Sequence, residues 1–275
     1  TEEENSSTPS HTSLISAQVS HKFHQARHLD SMVNHAKHLE AAHMATQGKT
    51  VTRFPPEPNG FLHLGHAKAM QLSFSVAEQE GGYTVLRMDD TNPANEHQTY
   101  IDSITDTVSW LGYKPKMTTH ASDYFPQMYD LACQLIEKGK AYVDFQDQQT
   151  ILQQREHMIE SPYRSMPPQE ALEHFEKMKN GFYNEGEAVL RLKIDMQHPL
   201  FVMRDMIAYR IKKQPHPRTG NQWIIYPTYD FTHCICDSLE FITYSLCTLE
   251  FENRRDSYFW LLEALDLYRP HVWEF

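Results

Sequence analysis

The strongest constraint on the fold is a regular alternation of strand and helix patterns between residues 49 and 112. KTVTRFPP reads as a strand, HLGHAKAMQLSFSVAEQE as a helix that stops at Gly81–Gly82, and YTVLRMDD as a second strand. NEHQTYIDSITDTVSWLG then predicts a second helix that ends at Gly112. Because strands joined through a helix pair in parallel, the segment predicts an α/β fold with a doubly wound parallel sheet.

The alternation is interrupted in the middle of the chain, which gives four predicted regions. Residues 1–49 form an extension that is disordered at first and helical from Ser13 to Gln47. Residues 50–116 supply the first half of the parallel sheet, residues 117–225 an inserted α+β subdomain, and residues 226–275 the second half of the sheet. Because the chain ends on an apolar strand pattern, PHVWEF, we expect it to be a fragment.

Composition excludes several classes of protein. The chain has no apolar run of the ~18 residues that a membrane helix needs, and its acidic start does not resemble a secretory signal. Four cysteines in 275 residues predict reduced thiols in a cytoplasmic protein. The net charge of −11 argues against a general nucleic-acid coat protein, although a local basic face could still bind RNA. We expect a monomer.

The first 48 residues hold seven of the 17 histidines. His21, His24 and His28 could share one helix face, so a metal site is conceivable. No carboxylate or cysteine completes the set, and a solvated helix face is the simpler interpretation. We therefore predict no metal site.

The run His63-Leu64-Gly65-His66 is the first candidate for nucleotide chemistry. The chain has neither a G-x-x-x-x-G-K-[ST] loop nor a G-x-G-x-x-G turn, so the two commonest phosphate cradles are absent. At a helix N-terminus both imidazoles could donate to phosphate oxygens and stabilise charge during attack on the α-phosphorus of ATP. Gly65 lets a base or ribose approach the backbone. A proline-rich loop with two surface histidines is the competing interpretation.

Three prolines before this run form a stiff arm. Pro55, Pro56 and Pro58 restrict the backbone, and the Asn59-Gly60 pair supplies a turn. We expect this arm to hold Arg53 and Glu57 at fixed positions over the site.

Polar residues come after two further strand patterns. Asp89 and Thr91 lie at the end of the second strand, and YPTYDFTHC places Tyr229 and His233 at a strand end that we assign to the second half of the parallel sheet. Ligands of open α/β sheets bind at the carboxyl ends of strands, so we expect these residues at one edge. Each alone could be a helix cap.

The insertion concentrates positive charge in RDMIAYRIKKQPHPR. This stretch is the best candidate for a phosphate-facing surface, with a solvated strand edge as an equal alternative. Its basic residues are Arg204, Arg210, Lys212, Lys213 and Arg218.

The segments TRFPPEPNGFLHLGHAKAM, LRMDDTNP, WLGYKP, GNQWIIYPTYDFTHCICDSLE and SLCTLEF together resemble glutaminyl-tRNA synthetase, a class I aminoacyl-tRNA synthetase. The resemblance runs in order from about Thr50 to Phe275, and HLGH is similar to the first signature motif of that family. It implies a Rossmann-type catalytic domain that is split by an insertion binding the tRNA acceptor stem. It also implies two reactions: ATP with Mg²⁺ activates glutamine as an adenylate, and the glutaminyl group then passes to its tRNA.

The resemblance implies a role for individual residues as well. At ATP it puts Pro55, Glu57, Asn59, Gly60, His63, Gly65, His66, Thr248 and Leu249. At glutamine it puts Arg53, Asp89, Tyr229, His233, Cys247 and Phe251. Near the terminal adenosine of the tRNA it puts Glu57, Thr91 and Glu96. We take His63, His66, Glu57 and Glu96 as catalytic candidates.

The chain departs from the family at its C-terminal end. The lysine-containing second signature and the anticodon-binding β-barrels, which the family carries beyond the position of PHVWEF, do not appear in these 275 residues. We therefore expect the chain to adenylate poorly alone.

Three other functions stay open at this point. A glutamyl enzyme of the same subgroup would be expected to carry arginine where this chain has Cys247, whose neutral thiol favours an amide. A non-catalytic tRNA-binding module derived from a synthetase would not require intact HLGH, Asp89 and Tyr229. A histidine-based metal-binding protein would need stoichiometric metal.

Overall fold

The computed structural model describes residues 33–275, and its elements agree with the predicted alternation. The strands are β1 (Val51–Phe54), β2 (Tyr83–Met88), β3 (Met117–His120), β4 (Ala141–Asp144), β5 (Val189–Leu192), β6 (Ile207–Ile211), β7 (Ile225–Pro227), β8 (Tyr244–Cys247) and β9 (His271–Glu274). The helices are α1 (Ala36–Thr46), α2 (Leu64–Gln79), α3 (Gln98–Trp110), α4 (Phe125–Glu137), α5 (Gln148–Glu156), α6 (Pro168–Lys179), α7 (Tyr229–Leu239) and α8 (Arg255–Ala264). The predicted disorder at the N-terminus and the candidate metal residues His21, His24 and His28 lie outside the described residues.

Five strands form a parallel sheet in the order β3-β2-β1-β8-β9, which confirms the predicted α/β fold. Strand order runs from β1 outward through β2 to β3 on one side and through β8 to β9 on the other. The point between β1 and β8, where the direction of winding reverses, is where open α/β sheets form a ligand crevice.

Alternating side chains of the sheet contact helices on both faces. Phe54, Leu86 and Met88 pack on one face in a cluster with Met70 of α2 and Ile104 of α3. The other face of the sheet packs against α7 and carries two buried arginines, Arg53 and Arg87, which both bind Asp237 of that helix. The sheet is therefore doubly wound, as predicted.

The insertion is an antiparallel sheet in the order β4-β5-β6-β7, with helices packed against it. The observed boundaries differ from the predicted ones at both ends of the insertion. Residues 117–120, predicted in the insertion, form β3 of the parallel sheet, and residues 226–227, predicted in the second half of the parallel sheet, belong to β7 of the insertion. The sequence did not predict these boundaries because a strand of three or four residues has too few side chains to indicate which strand it pairs with.

A continuous apolar core joins the insertion to the helices behind the parallel sheet. Phe125 and Phe175 of the insertion belong to the same buried cluster as Phe231 of α7 and Phe259 of α8. The insertion is thus packed against the parallel-sheet domain, which fixes its position relative to the site. Among residues 33–275, no helix is both long and apolar enough to span a membrane.

Among the glycines of the described residues, Gly82 lies closest to a neighbouring backbone segment. A Cβ built on Gly82 would lie 1.8 Å from the Thr50 carbonyl oxygen, and that oxygen accepts a hydrogen bond from Tyr83 N at 2.9 Å. Because backbone atoms on both sides cannot move without breaking the β1–β2 pairing, Gly82→Ala should lower the free energy of unfolding by about 3 kcal/mol. Chemical denaturation measures this loss.

The neighbouring Gly81 provides the matched control. It has a φ of +67° but open space around its Cα, so Gly81→Ala should cost only the strain of that backbone conformation, about 1 kcal/mol. Equal losses for the two variants would contradict the predicted clash at Thr50.

Candidate active site

A cavity of about 320 Å³ opens at the carboxyl ends of the parallel strands, between β1 and β8. This volume lies at the lower end of the range for ligand pockets, ~300–1,000 Å³. It brings together residues from four separate parts of the sequence. Its lining includes Arg53, Phe54, Pro55, Pro56, Glu57, Asn59, His66, Ala69, Tyr229, Leu246, Cys247, Thr248, Phe251 and Phe275.

The proline arm is fixed by its own carbonyl groups. Pro56 O accepts a hydrogen bond from Asp89 N at 2.9 Å, and Pro58 O accepts one from His97 N at 3.3 Å. The Asn59 amide donates to the Glu57 carboxylate at 2.6 Å. These bonds hold the arm against the loop after β2, as the stiffness of the prolines suggested.

The two histidines of HLGH cap the start of α2. His63 Nδ1 accepts from Gly65 N at 3.1 Å, and His66 Nδ1 accepts from His63 N at 3.2 Å. Because Nδ1 accepts in both rings, each neutral imidazole carries its proton on Nε2, where it can donate. Burial and the neighbouring His63 lower the pKa of His66, which favours this neutral form.

His66 and His63 differ in position. His66 lines the cavity, whereas His63 is exposed and its ring packs on that of His66 at a centroid distance of 4.0 Å. A Cβ on Gly65 would lie 3.0 Å from the His63 ring, so glycine makes room for this ring to fold over the helix start. Gly65 lines a different surface depression, beside Leu64 and Lys68.

Arg53 is almost fully buried, and its guanidinium is held by protein groups. Nε donates to Asp237 at 3.1 Å and Nη1 to Leu246 O at 2.7 Å. Nη2 donates to Ser245 Oγ at 2.8 Å and to Cys247 Sγ at 3.3 Å. The Arg53 charge is therefore compensated inside the protein before any ligand binds.

The wall opposite the arm is built from α7 and the end of β8. The His233 ring packs against Phe251 and Tyr229 at centroid distances of 4.7 and 5.2 Å, and its Nε2 lies 2.5 Å from Arg53 Nη2. Burial raises the pKa of the Cys247 thiol, but the nearby Arg53 and His233 lower it by more, so it lies below its usual value.

The assignment of Tyr229 and His233 to a strand end of the parallel sheet is wrong. Both residues lie on α7, and the strand before them is β7 of the antiparallel sheet. Tyr229 still reaches the cavity because α7 begins directly at the crevice. The motif therefore contributes through a helix N-terminal turn instead of a strand end.

Asp89, at the end of β2, has a buried carboxylate whose Oδ1 makes no hydrogen bond with the described residues. Burial and the negative charge of Glu57 raise the pKa of Asp89 to about 7. A buried, unpaired carboxylate is costly unless a donor reaches it, so Asp89 is suited to accept from a cationic ligand.

The raised pKa of Asp89 predicts the direction in which the free energy of unfolding changes with pH. An unfolded aspartate titrates near 3.9, so between about pH 4 and pH 7 only the folded state holds the proton, and stability falls as pH rises. Asp89→Asn removes this slope. The difference in unfolding free energy between variant and parent should grow, in favour of the variant, by roughly 2.5 kcal/mol from pH 5 to pH 8. Denaturation at both pH values measures it, and a constant difference would contradict the assignment.

Glu96 and Thr91 are buried in the loop after Asp89, outside the cavity lining. Glu96 Oε1 accepts from Asn92 N at 2.5 Å, while its Oε2 is buried with no hydrogen-bond partner in residues 33–275. Gly60 lies in open space, and Leu249 is 63% exposed beside Thr248.

The five basic residues of the insertion do not form one surface. Arg204 does not fit the predicted phosphate-facing role, because it is buried and its guanidinium donates to the carbonyls of His198, Pro199 and Arg155 at 2.8–2.9 Å. The guanidinium instead ties the backbone at Arg155 to the backbone at His198 and Pro199. Sequence charge alone could not separate this internal role from a surface one.

The other four basic residues retain some exposure. Lys212 lies 3.6 Å from Glu185, and Lys213 Nζ donates to Asn184 at 2.8 Å. Arg218 pairs with Asp123 at 2.7 Å. Burial lowers the pKa of Arg210, whose Nε is buried and makes no hydrogen bond to any described residue. Arg210 is thus the member of the set that is best prepared for an external acceptor.

Sequence reasoning missed the buried charge network behind Arg53. Asp237 has no exposed surface and also accepts from Arg87 Nη2 at 2.5 Å, Ser245 Oγ at 2.7 Å and Tyr258 OH at 3.0 Å. Burial opposes ionisation of Asp237, yet the two arginines hold its pKa well below the usual range. The signal that could have found it is a charged residue, Arg87, inside the apolar strand YTVLRM.

Within residues 33–275, no group of three His, Cys, Asp or Glu side chains is arranged to hold a metal ion. All four cysteines are free thiols.

Comparison with known proteins identifies a family for this arrangement. The model for the catalytic domain of class I tRNA synthetases (E and Q) matches residues 49–275. The chain is 54% identical over 239 residues to a cytoplasmic glutamine--tRNA ligase of Arabidopsis thaliana, covering 87% of this chain and 30% of that protein. It is 53% identical over 231 residues to glutamine--tRNA ligase of Pasteurella multocida, covering 82% of this chain and 41% of that protein.

The chain therefore spans less than half the length of the curated relatives it matches. Among solved structures, a glutamate tRNA ligase from Elizabethkingia meningosepticum superposes with a TM-score of 0.62 at 20% identity, over 82% of this chain and 49% of that one. At this identity the likeness concerns the fold alone.

Proposed function

Because the chain belongs to the class I tRNA synthetases for glutamate and glutamine, we propose that it carries the site at which glutamine is activated by ATP and passed to its tRNA. The observation that carries the proposal is the cavity at the β1–β8 crevice, where the proline arm, His66, Tyr229 and Cys247 meet. ATP, glutamine and the tRNA terminus would have to converge at such a point.

MgATP would enter as a substrate, with its Mg²⁺ carried on the phosphates. His66 supports this assignment because its Nε2 carries the proton in the neutral ring, so the imidazole can donate to a phosphate oxygen. Its place at the start of α2 adds the partial positive charge of a helix N-terminus. Thr248, exposed at the end of β8, would lie beside the nucleoside.

Glutamine would bind on the other side of the cavity. The unpaired Asp89 carboxylate is suited to the α-ammonium group, and ammonium binding would favour its ionised form. Tyr229 and Arg53 would contact the side-chain carboxamide. Because Asp237 already compensates the charge of Arg53, this wall favours a neutral amide over a carboxylate.

The tRNA would approach from the insertion side. Glu57 and Glu96 would lie at its terminal adenosine with Thr91, while Arg210, Lys212, Lys213 and Arg218 would contribute to a discontinuous phosphate-binding surface. As a proposal on the same grounds, the protein acts as a monomer in the cytoplasm.

Pyrophosphate exchange by the full-length gene product, with the glutamine tRNA present, tests the proposal. We expect exchange with glutamine and at least about 100-fold less with glutamate, because a site that pairs polar groups of one ligand discriminates strongly against another. Preference for glutamate would overturn the glutamine assignment. Binding of tRNA without exchange would favour a non-catalytic module.

A further inference from the structure

One buried histidine of the insertion, His216, contacts the loop between β2 and α3. It lies between β6 and β7, where His216 and Gly220 exchange two backbone hydrogen bonds of 2.9 Å. Its ring is enclosed by Phe125 and Tyr226, at centroid distances of 5.6 and 5.9 Å. The side chain is 0% exposed. The hydrogen bonds of the hairpin and the packing of the ring therefore hold the His216 imidazole in one orientation.

Hydrogen bonds to the ring define its tautomer. His216 Nδ1 accepts from the backbone N–H groups of Arg218 and Thr219, each at 3.2 Å. A nitrogen that accepts these bonds holds a lone pair, so the neutral ring carries its proton on Nε2. The hairpin thus presents a fixed N–H donor to its surroundings.

This donor points at the segment after β2. Nε2 lies 2.9 Å from the Asp90 carbonyl oxygen and 3.5 Å from Glu96 Oε2. The Asp90 carboxylate, 3.7 Å away, is already used by the backbone N–H and the hydroxyl of Ser122. The ring of His216 therefore fixes the loop backbone and faces the carboxylate of Glu96.

The Glu96 carboxylate has one oxygen, Oε2, that receives no hydrogen bond from the described residues. Oε1 accepts from Asn92 N, and Oε2 is buried with no hydrogen bond to the described part of the chain. Glu96 is 4% exposed, and a buried acceptor without a donor is rare in folded proteins. The Nε2–H of His216 is near enough to restrain Oε2 electrostatically, yet its hydrogen bond goes to Asp90.

We propose that His216 is a positioning residue that holds Glu96 Oε2 ready to accept a hydrogen bond from a ribose hydroxyl at the tRNA terminus. The inference rests on the proposed function, since it names the partner of a carboxylate in that same site. The insertion, through its β6–β7 hairpin, thereby sets the geometry of the transfer step. Activation of glutamine, which takes place at the β1–β8 cavity, does not depend on this contact.

Two substitutions separate the two nitrogens of the ring. His216→Asn keeps an acceptor near the position of Nδ1 and so preserves the hairpin, but it removes the donor at Nε2. His216→Gln places an amide donor near the position of Nε2. Both are made in the full-length gene product and followed in single-turnover reactions with enzyme in excess over glutamine tRNA. Pyrophosphate release reports activation, and charged tRNA reports transfer.

For His216→Asn we expect the rate constant of transfer to fall about 10-fold to 100-fold, with activation within about threefold of the parent. His216→Gln should keep both rate constants within about threefold. Single-turnover rate constants do not depend on the fraction of active enzyme, so a loss of folded protein alone would not reproduce this pattern. Glu96→Gln should add no further loss in the His216→Asn background.

Unchanged transfer in His216→Asn, or equal losses of activation and transfer in both variants, would overturn the inference. If His216→Asn does not fold, His216→Gln alone tests the inference. A tenfold loss in the rate constant of transfer for His216→Gln would then contradict it. A parent protein that releases no pyrophosphate with glutamine would overturn the proposed function and the inference with it. If the parent activates and transfers glutamine normally and neither variant loses transfer selectively, the inference is contradicted while the proposed function stands.

Discussion

Asp237→Asn is expected to lower the free energy of unfolding by about 3–5 kcal/mol, because it leaves the buried Arg53 without an anion and leaves Arg87 with Glu240 alone. Asp237 accepts from Arg53 and Arg87 and is fully buried, so neither guanidinium can recover hydration where it stands. Asparagine keeps the shape, and its amide oxygen can still accept from Ser245 and Tyr258. Its NH2 group then faces the donors of Arg53 and Arg87, so the loss reports the charge together with the hydrogen bonds that these arginines make. The pKa of Asp237 is depressed, and its contribution is present above about pH 4 and lost as pH falls further.

Urea denaturation at pH 7 measures this loss. Asp106 on α3 is exposed, so Asp106→Asn removes the same charge without uncovering a buried cation and should change stability by no more than about 0.5 kcal/mol. Comparable losses at the two positions would mean that the network around Arg53 contributes no more than an ordinary surface charge.

His66→Ala is expected to slow pyrophosphate exchange by about 100-fold to 1,000-fold in the full-length gene product. The reason is the loss of one preorganised N–H donor at the position where charge develops on the α-phosphate. His66 lines the cavity, and its Nδ1 is occupied by His63 N, so the ring cannot be replaced by water with the same geometry. The loss should fall mainly on the rate constant, with a smaller change in the KM for glutamine.

His97→Ala is the matched control for His66→Ala. His97 stands at the start of α3, is exposed and makes no side-chain capping bond, so its removal should leave exchange within about twofold. An exchange rate for His66→Ala close to that of the control would exclude His66 from the phosphate site. Melting temperatures of both variants show whether a loss arises from unfolding.

The elements that the sequence predicted best are those with long periodic patterns. α2 and α3 lie where the periodicity put them, and β1 and β2 beside them are predicted well because each is bounded by glycine, proline or a charged end. Sheet membership was harder, since the three residues of β7 look alike in a parallel or an antiparallel sheet. Tyr229 was therefore put in the right cleft for an incorrect reason.

Buried charge is the other part that the sequence did not predict. Arg53 was expected at the ligand, but its compensation by Asp237 depends on a helix that packs beneath the sheet 184 residues later. Arg204 was expected on the surface, whereas it binds carbonyl oxygens inside the insertion. The sequence shows that these residues are charged, but it does not show which groups they bind, because those partners come together only in the packed fold.

The single residue between β7 and α7 has a further consequence. Thr228 alone separates Pro227 from Tyr229, and its N–H and hydroxyl both donate to β6 carbonyls at 2.8 Å. An α-helix advances about 100° per residue, so one amino acid added or removed here would turn Tyr229 and Asp237 away from their partners together. The spacing of this joint is thus as strictly determined as any side chain in the cleft, and a change of length should be tolerated less here than in the exposed loop between α6 and β5.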